Sequence, residues 1–470
     1  MLLHDPHCLN RFQNNHIFIP VEVLSELDNF KNEPSERGAN ARMAHRFLNQ
    51  IFGHDSKKVI QGAQTAGGGT VRILVNESPT QSKPSPAMSR FLKIFPDREK
   101  MDNRIMAACL SLKQQSSIQT ILVTKDINMM LKAAAIEINC QDYLNDKVAE
   151  KDAEGYEIRS IKIEHHELQR FGSSHTLALG LARTGPLEIN EYVILKVSEN
   201  KFMPARHAGE GRFTRLNTPA SLCIRKGLEL RPANAGQQCF LDALLDPEIS
   251  LITCYGQAGT GKTLLAVAAG LFMTEQKRFN GMIVSRPVVA MGDTLGFLPG
   301  SLNEKMHPWL QSIYDAFEVL FPPHTTTHEG KNRQSSNRKK IPPTPPAPRI
   351  PSTAQAKPLK PYEILMEQGV LEIEALCYIR GRSIPNRFFV LDEAQQLTPL
   401  EAKTVVTRMS KGSKLVMVGD PAQIDNPYVD SRSNGLVYTR NRLRGQSITA
   451  HISLTKGERS QLAEMGANMM

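Results

Sequence analysis

Two short stretches carry residue types that together could bind and cut a phosphate chain. Gly256-Gln257-Ala258-Gly259-Thr260-Gly261-Lys262-Thr263 fills every fixed position of the pattern G-x-x-x-x-G-K-[ST], a P-loop. Glycines let successive backbone N–H groups turn inward around an anion, and a following helix adds the positive end of its dipole. Lys262 would reach the β- and γ-phosphates of ATP, and Thr263 would hold Mg²⁺. Downstream, the apolar run Arg387-Phe-Phe-Val-Leu391 ends in Asp392-Glu393. There Asp392 would orient Mg²⁺ through its water shell, and Glu393 would polarise the attacking water. A chance Gly-rich turn and a pair of solvated acids are the bland alternatives. Two adjacent acids at a strand end are a weak signal alone and a strong one beside a P-loop.

The elements around these residues are the ones such chemistry requires. Ile249 to Tyr255 reads as a buried strand before the loop, and Leu264 to Gly270 reads as a helix after it. A third apolar strand, Leu415 to Gly419, runs into Asp420-Pro-Ala-Gln423. The G-D-x-x-Q pattern resembles motif III of superfamily 1 helicases, which implies that Gln423 senses the γ-phosphate; open parallel sheets place ligands at the carboxyl ends of their strands, which favours such a functional role over an ordinary turn residue. The same resemblance brings Gln237, upstream of the loop strand, into the site, where its amide could read the edge of adenine, since it offers both donor and acceptor. Ile448 to Leu454 reads as a last strand. Beyond it, Arg459 could neutralise transition-state charge in cis or on a neighbouring subunit, or simply form a surface ion pair.

The first 140 residues alternate strand and helix patterns: Ile17 to Val21, a helix carrying Glu22 and Glu26, Thr70 to Val75, a helix over Ile105 to Leu112, and Thr120 to Val123. That alternation predicts a parallel sheet. Glu26, Asp102 and Asp126 stand near strand and helix ends. Such acids can converge at one sheet edge and hold Mg²⁺ or Mn²⁺ with oxygen ligands, activating water against a phosphodiester. Singly, each has a plainer reading, Asp102 as a helix N-cap and Glu26 and Asp126 as surface charge. Between residues 150 and 225, alternating runs such as Glu191 to Lys196 predict a small β-rich connector. No aromatic stacking motif is legible there.

Composition bounds the rest. A chain of 470 residues accommodates two to three domains. It has no apolar run long enough to span a membrane and no leader-like start. Seven scattered cysteines without a C-x-x-C pair predict reduced thiols and a cytoplasmic protein. The net charge is +10, but residues 322–361 alone carry eight Lys/Arg against one acid, with ten of the 29 prolines. That segment reads as a disordered insertion, and the near-balanced remainder supports nucleic-acid binding only weakly.

Residues 226–470, apart from that insertion, resemble a PhoH-type ATPase, a superfamily 1 helicase-like P-loop domain. The resemblance rests on Gly256–Thr263, Ser285-Arg-Pro287, Leu295 to Gly300 with Glu304-Lys305, Tyr378 to Ser383, Val390 to Gln396 and Val418 to Gln423. It implies RNA-linked ATP hydrolysis on single-stranded RNA, often in ring-shaped homo-oligomers. Arg286, Arg380 and Arg382 become candidates for phosphate or RNA contacts, against intradomain ion pairing. Residues 1–149 resemble a PIN nuclease domain through Leu2 to Pro6, Ile19 to Asp28, Asp102 to Ile105, Val123 to Asp126 and Asp142 to Val148. In that context Glu26, Asp102 and Asp126 read as a metal site. The family carries a further aspartate before the stretch matching Leu2 to Pro6, and Met1 follows that point. The expectations are an inactive nuclease or a start lying upstream, the second favoured because the other acids remain; Asp5 is no convincing substitute. The expected architecture is α/β: a PIN-like parallel-sheet domain, a β-rich connector and a P-loop NTPase domain. Three functions stay open: an RNA motor feeding a ribonuclease, a motor with a silent PIN scaffold, and, weakest, a P-loop phosphotransferase.

Overall fold

The computed structural model describes residues 1–33, 36–53, 55–75, 85–97, 99–115, 119–143, 157–225, 228–287, 302–321, 360–379 and 381–457. The chain divides into two compact units, Met1–Asn145 and Asp146–Met470.

In the first unit, β1 (His16–Pro20) leads directly into the helix Val21–Phe30, which carries Glu22 and Glu26. The strands β2 (Ala63–Gln64) and β3 (Thr70–Leu74) complete a three-stranded sheet of order β1-β3-β2, with β1 and β3 parallel. A second ladder pairs β4 (Ile121–Val123) with β5 (Asn139–Gln141), again parallel. The expected single parallel sheet is thus two ladders, with an antiparallel β2 on the first. The helix Met101–Gln115 buries Ile105, Met106, Cys109 and Leu110 against Phe91, Leu122 and Met129.

The second unit contains both the connector and the nucleotide-binding region. The connector sheet is formed by β6 (Arg159–Lys162), β7 (Thr176–Ala178), β8 (Tyr192–Ser198), β9 (Lys201–His207) and β10 (Arg212–Arg215), in the order β6-β8-β9-β10-β7. A short hairpin of β11 (Leu222–Arg225) and β12 (Leu228–Leu230) follows. The main sheet is six-stranded: β13 (Leu251–Gly256), β14 (Gly281–Arg286), β15 (Leu371–Ala375), β16 (Arg387–Leu391), β17 (Lys414–Gly419) and β18 (Thr449–Leu454), in the order β15-β14-β16-β17-β13-β18. Every pairing in it is parallel. Its central strands are buried on both faces, which is why they read as continuous apolar runs rather than alternating ones.

The connector is not an isolated module, since its residues Tyr192, Leu222 and Ile224 belong to the same core as Phe240, Ile252 and Val416. Polar ties accompany that packing. Tyr192 donates to the Asp242 carboxylate at 2.9 Å, and Asn190 donates to the carbonyls of Ser447 and Thr449 at 2.8 and 3.1 Å. Arg206 pairs with Asp246 and lies 3.7 Å from Asp242. Buried Lys414 donates to the carbonyls of Ala243, Leu244 and Asp246 at 3.1, 2.9 and 2.6 Å, closing the end of the helix Ala235–Leu245.

Of the proline-rich segment, residues 322–359 lie outside the described residues. Its last two, Lys360 and Pro361, belong to a folded element: Pro361 opens the helix Pro361–Glu367 and Lys360 pairs with Glu318. The insertion expected to run to residue 361 therefore ends in a helix start, where Pro at the first helical position needs no hydrogen bond to its nitrogen. No described helix is long and apolar enough to cross a membrane. Cys8, Cys109, Cys140, Cys223, Cys239 and Cys254 are free thiols.

Candidate nucleotide site and carboxylate cluster

The loop Gly256–Thr263 leaves the carboxyl end of β13 and enters the helix Lys262–Glu275. Gly259 and Gly261 both take φ of +86°, a region that side chains disfavour, so glycine is required where the backbone folds back on itself. A Cβ on Gly256 would stand 2.7 Å from the Leu454 carbonyl and 2.8 Å from Thr260 Oγ1. Lys262 Nζ donates to the carbonyls of Gly256 and Gln257, arching over the loop. Thr260 is fully buried and donates to the Gln257 carbonyl at 2.9 Å, fixing the turn from inside.

Since β17 lies between β13 and β16, all three strands deliver their ends to one edge of the sheet. Thr263 Oγ1 donates to Asp392 Oδ1 at 2.7 Å, joining the loop to the acid pair across 129 positions of sequence. Asp392 is buried. Burial foremost, and then the neighbouring Glu393, push its carboxyl up, while the Thr263 hydroxyl, Arg286 and Lys262 pull the other way. Glu393 takes φ of +50°, and Arg286 from the end of β14 stands 3.8 Å from its carboxylate. These residues fit a nucleoside triphosphate with Mg²⁺: a glycine cradle, an ammonium over it, and a hydroxyl and a buried carboxylate side by side.

Sequence reading missed Gln395, which is completely buried behind this edge. Its amide nitrogen donates to Glu393 Oε2 and to the Gln423 carbonyl at 3.0 Å, and its oxygen accepts from Asp420 N at 3.2 Å. The adjacent Gln396 donates to the Gln423 carbonyl at 3.2 Å and to Asp425 at 2.9 Å. Two glutamines thus tie the acid pair to the turn after β17. The side chain of Gln423 itself is exposed at that edge. Burial pushes the Asp420 carboxyl up, against the backbone N–H of Ala422 and the charge of Lys262.

Other expected roles come out differently. Gln237 is buried, its oxygen accepting from Ala233 N at 2.7 Å and its nitrogen donating to the Thr260 carbonyl at 3.1 Å. Its amide braces the P-loop from both ends. Arg382 is held by Glu374 at 2.8 Å and Glu372 at 3.2 Å, the ion-pair alternative rather than a phosphate contact. Arg459 and Arg380 lie outside the described residues, as do 295–300 and 144–148.

In the first unit, the carboxyl of Glu26 is pushed up by burial and then by the nearby charges of Asp102 and Asp126. Glu26 therefore lies within electrostatic reach of both other acids. Asp126 caps the helix Ile127–Ala135 by accepting from Met129 N at 3.1 Å. Asp102 lies inside the first turn of its helix, and Lys132 holds its carboxylate at 3.0 Å. Among the described residues no three acid, His or Cys side chains come close enough together to hold a metal ion. The Lys132 ammonium stands at Asp102 among them. Glu22, also buried, pairs with Arg104 at 3.2 Å. Asp5 accepts from the Tyr143 hydroxyl at 2.6 Å and belongs to a packing contact.

The all-parallel sheet with a glycine loop, a hydroxyl–carboxylate pair and an acid pair at one edge defines a P-loop NTPase, preceded by a PIN-type unit. The family of PhoH-like proteins matches residues 229–466, and the PIN domain family matches residues 1–144. A protein named Protein PhoH2 from Bacillus subtilis (strain 168) is 34% identical over 479 residues, covering 100% of this chain and 98% of that one. Proteins of the same name from Thermobispora bispora and Mycolicibacterium smegmatis are 30% and 29% identical, each covering 100% of this chain and 94% and 95% of their own lengths. The chain belongs to the PhoH-like family, with a PIN domain at its N-terminus.

Proposed function

We propose that this protein hydrolyses ATP with Mg²⁺ and couples the hydrolysis to movement along or unwinding of single-stranded RNA. The observation that carries the reading is the 2.7 Å contact between Thr263 and Asp392, which brings loop and acid pair into one centre. Bound Mg²⁺ would neutralise charge on the β- and γ-phosphates. Lys262 would bind the same phosphates, Glu393 would accept a proton from the attacking water, and exposed Gln423 would contact the γ-phosphate. The tie from Gln395 to Glu393 and to the Gln423 turn supports a motor over a phosphotransferase, because it links the hydrolytic acid to a loop that can respond to the phosphate. A homo-oligomer, as the PhoH resemblance implies, would let Arg459 act on a neighbouring subunit. The test is ATP turnover with and without single-stranded RNA. RNA-stimulated turnover abolished in Lys262→Ala supports the reading; turnover onto a small acceptor with no RNA effect contradicts it.

For the first unit, the nearness of Asp102 and Asp126 to Glu26, whose carboxyl they help push up, supports a metal-dependent ribonuclease. The Lys132–Asp102 pair favours the second reading, a silent PIN scaffold, because the acid is already neutralised. Cleavage of end-labelled RNA in Mn²⁺, lost in Asp102→Asn, would support the nuclease; intact RNA alongside active ATP turnover would support the scaffold.

A further inference from the structure

The connector sheet has one face packed and one face open. Ile161, Val193, Leu195, Ala205 and Phe213 point into its own core with Phe171 behind them. Side chains alternate along each strand, so the residues between them share the opposite face. Cross-strand register then aligns two rows on that face. Lys162 pairs with Lys196, and Lys196 pairs with Phe202. One step along, Ser160 pairs with Ile194, and Ile194 pairs with Pro204. Phe202 is 45% exposed, and Lys162 and Ser160 are exposed as well. Lys196 is partly exposed and bonds Glu199 in the hairpin turn at 2.6 Å. None of the six residues in the two rows is acidic. At its far end the same face reaches Tyr192 and Arg206, which bind Asp242 and Asp246 on the helix Ala235–Leu245.

An exposed ring at the end of a row of two lysines is unfavourable for solubility and useful for one class of ligand. A nucleobase stacks on the ring whatever its identity, and the ammonium groups of Lys196, one strand away, and Lys162, two strands away, meet successive phosphates on that side of the ring. We infer that this open sheet face is a platform for single-stranded RNA, with Phe202 stacking on a base and Lys162 and Lys196 contacting the backbone. The inference deepens the proposed function and rests on its RNA-directed reading: it names a surface of the ATPase-bearing unit that would keep hold of the strand. A lone Phe in Lys201-Phe-Met-Pro204 looks like core until register places it on the outer face, so this surface is not legible in the sequence.

The experiment is fluorescence anisotropy of a fluorescein-labelled uridine 12-mer against the full chain without nucleotide, across a salt series. Phe202→Ala is expected to weaken binding about 10-fold, with Phe202→Trp restoring it. Lys162→Ala with Lys196→Ala should flatten the log–log salt slope by about 1.4, the loss of two phosphate contacts to a single strand. Unchanged affinity and slope in these variants, with RNA still stimulating ATP turnover in the wild type, would overturn the platform and leave the proposed function standing. A wild type that neither binds the 12-mer nor responds to RNA would overturn both. A Phe202→Ala chain whose oligomeric mass falls while its RNA affinity holds would overturn the platform in favour of a contact between copies.

Discussion

On the proposed function, Lys262, Thr263, Asp392 and Glu393 would each meet a different demand of phosphate chemistry, and their surroundings would set how sharply each meets it. Lys262→Ala removes the ammonium over the loop and should lower ATP turnover by about 10²-fold or more, as loss of a single transition-state contact does elsewhere. Asp392 must be ionised to serve magnesium, and burial beside Glu393 raises its carboxyl. Protonation as pH falls therefore removes activity earlier than an exposed acid would: the acid limb of kcat/KM should lie above the ordinary carboxylate range, checked by a pH profile of ATP turnover. In the PIN unit, Lys132 supplies a positive charge beside Asp102. Lys132→Met should lower the melting temperature in metal-free buffer and enlarge the stabilisation given by Mn²⁺, measured by thermal shift. At this scale, the loop and the acid pair were legible because glycine, lysine and paired acids are rare in those spacings. Gln237 and Arg382 were not, since an amide or guanidinium suits a ligand and a backbone brace equally well until its neighbours are known.

Between the elements, the turn after β17 is set by contact with the segment after β16. A Cβ on Gly419 would fall 2.1 Å from Gln395 Oε1 and 3.0 Å from Leu436 Cδ2, so the strand end can approach only as glycine. Gly419→Ala should cost about 1–3 kcal/mol by overpacking, read as a lower urea midpoint. Gln395→Leu keeps the volume and breaks the tie; nucleotide binding should persist while kcat falls about 10-fold or more through a misplaced Glu393. Strands were legible as apolar runs because burial on both faces of a parallel sheet imposes them. The tie between their ends was not, because Gln395 and Asp420 are 25 positions apart and meet only through strand order. Lys414 shows the same limit. Nothing in the sequence marks it as buried, yet the ammonium turns onto the helix end and burial pushes it down to about 7. The unfolded lysine binds its proton to higher pH, so this residue's contribution to stability rises as pH goes from about 7 toward the ordinary lysine range. The stability difference between wild type and Lys414→Met should widen over that window.

At the scale of the molecule, the connector and the nucleotide-binding region form one unit, held by a shared core and by the Arg206, Tyr192 and Asn190 ties. Arg206→Ala strands buried Asp242 beside Asp246 and should destabilise the unit by about 3 kcal/mol, seen in urea unfolding. The alternating runs predicted a small β-rich connector there but not its docking, because short alternating strands look alike whether or not one end is docked. An RNA-responsive ATP-hydrolysing centre at one sheet edge is best tested by ATP turnover of the full chain as single-stranded RNA is titrated, with Glu393→Gln alongside. Turnover is expected to rise and saturate with RNA and to collapse in Glu393→Gln while ATP remains bound. Turnover indifferent to RNA, or undiminished in Glu393→Gln, would overturn that reading of the site.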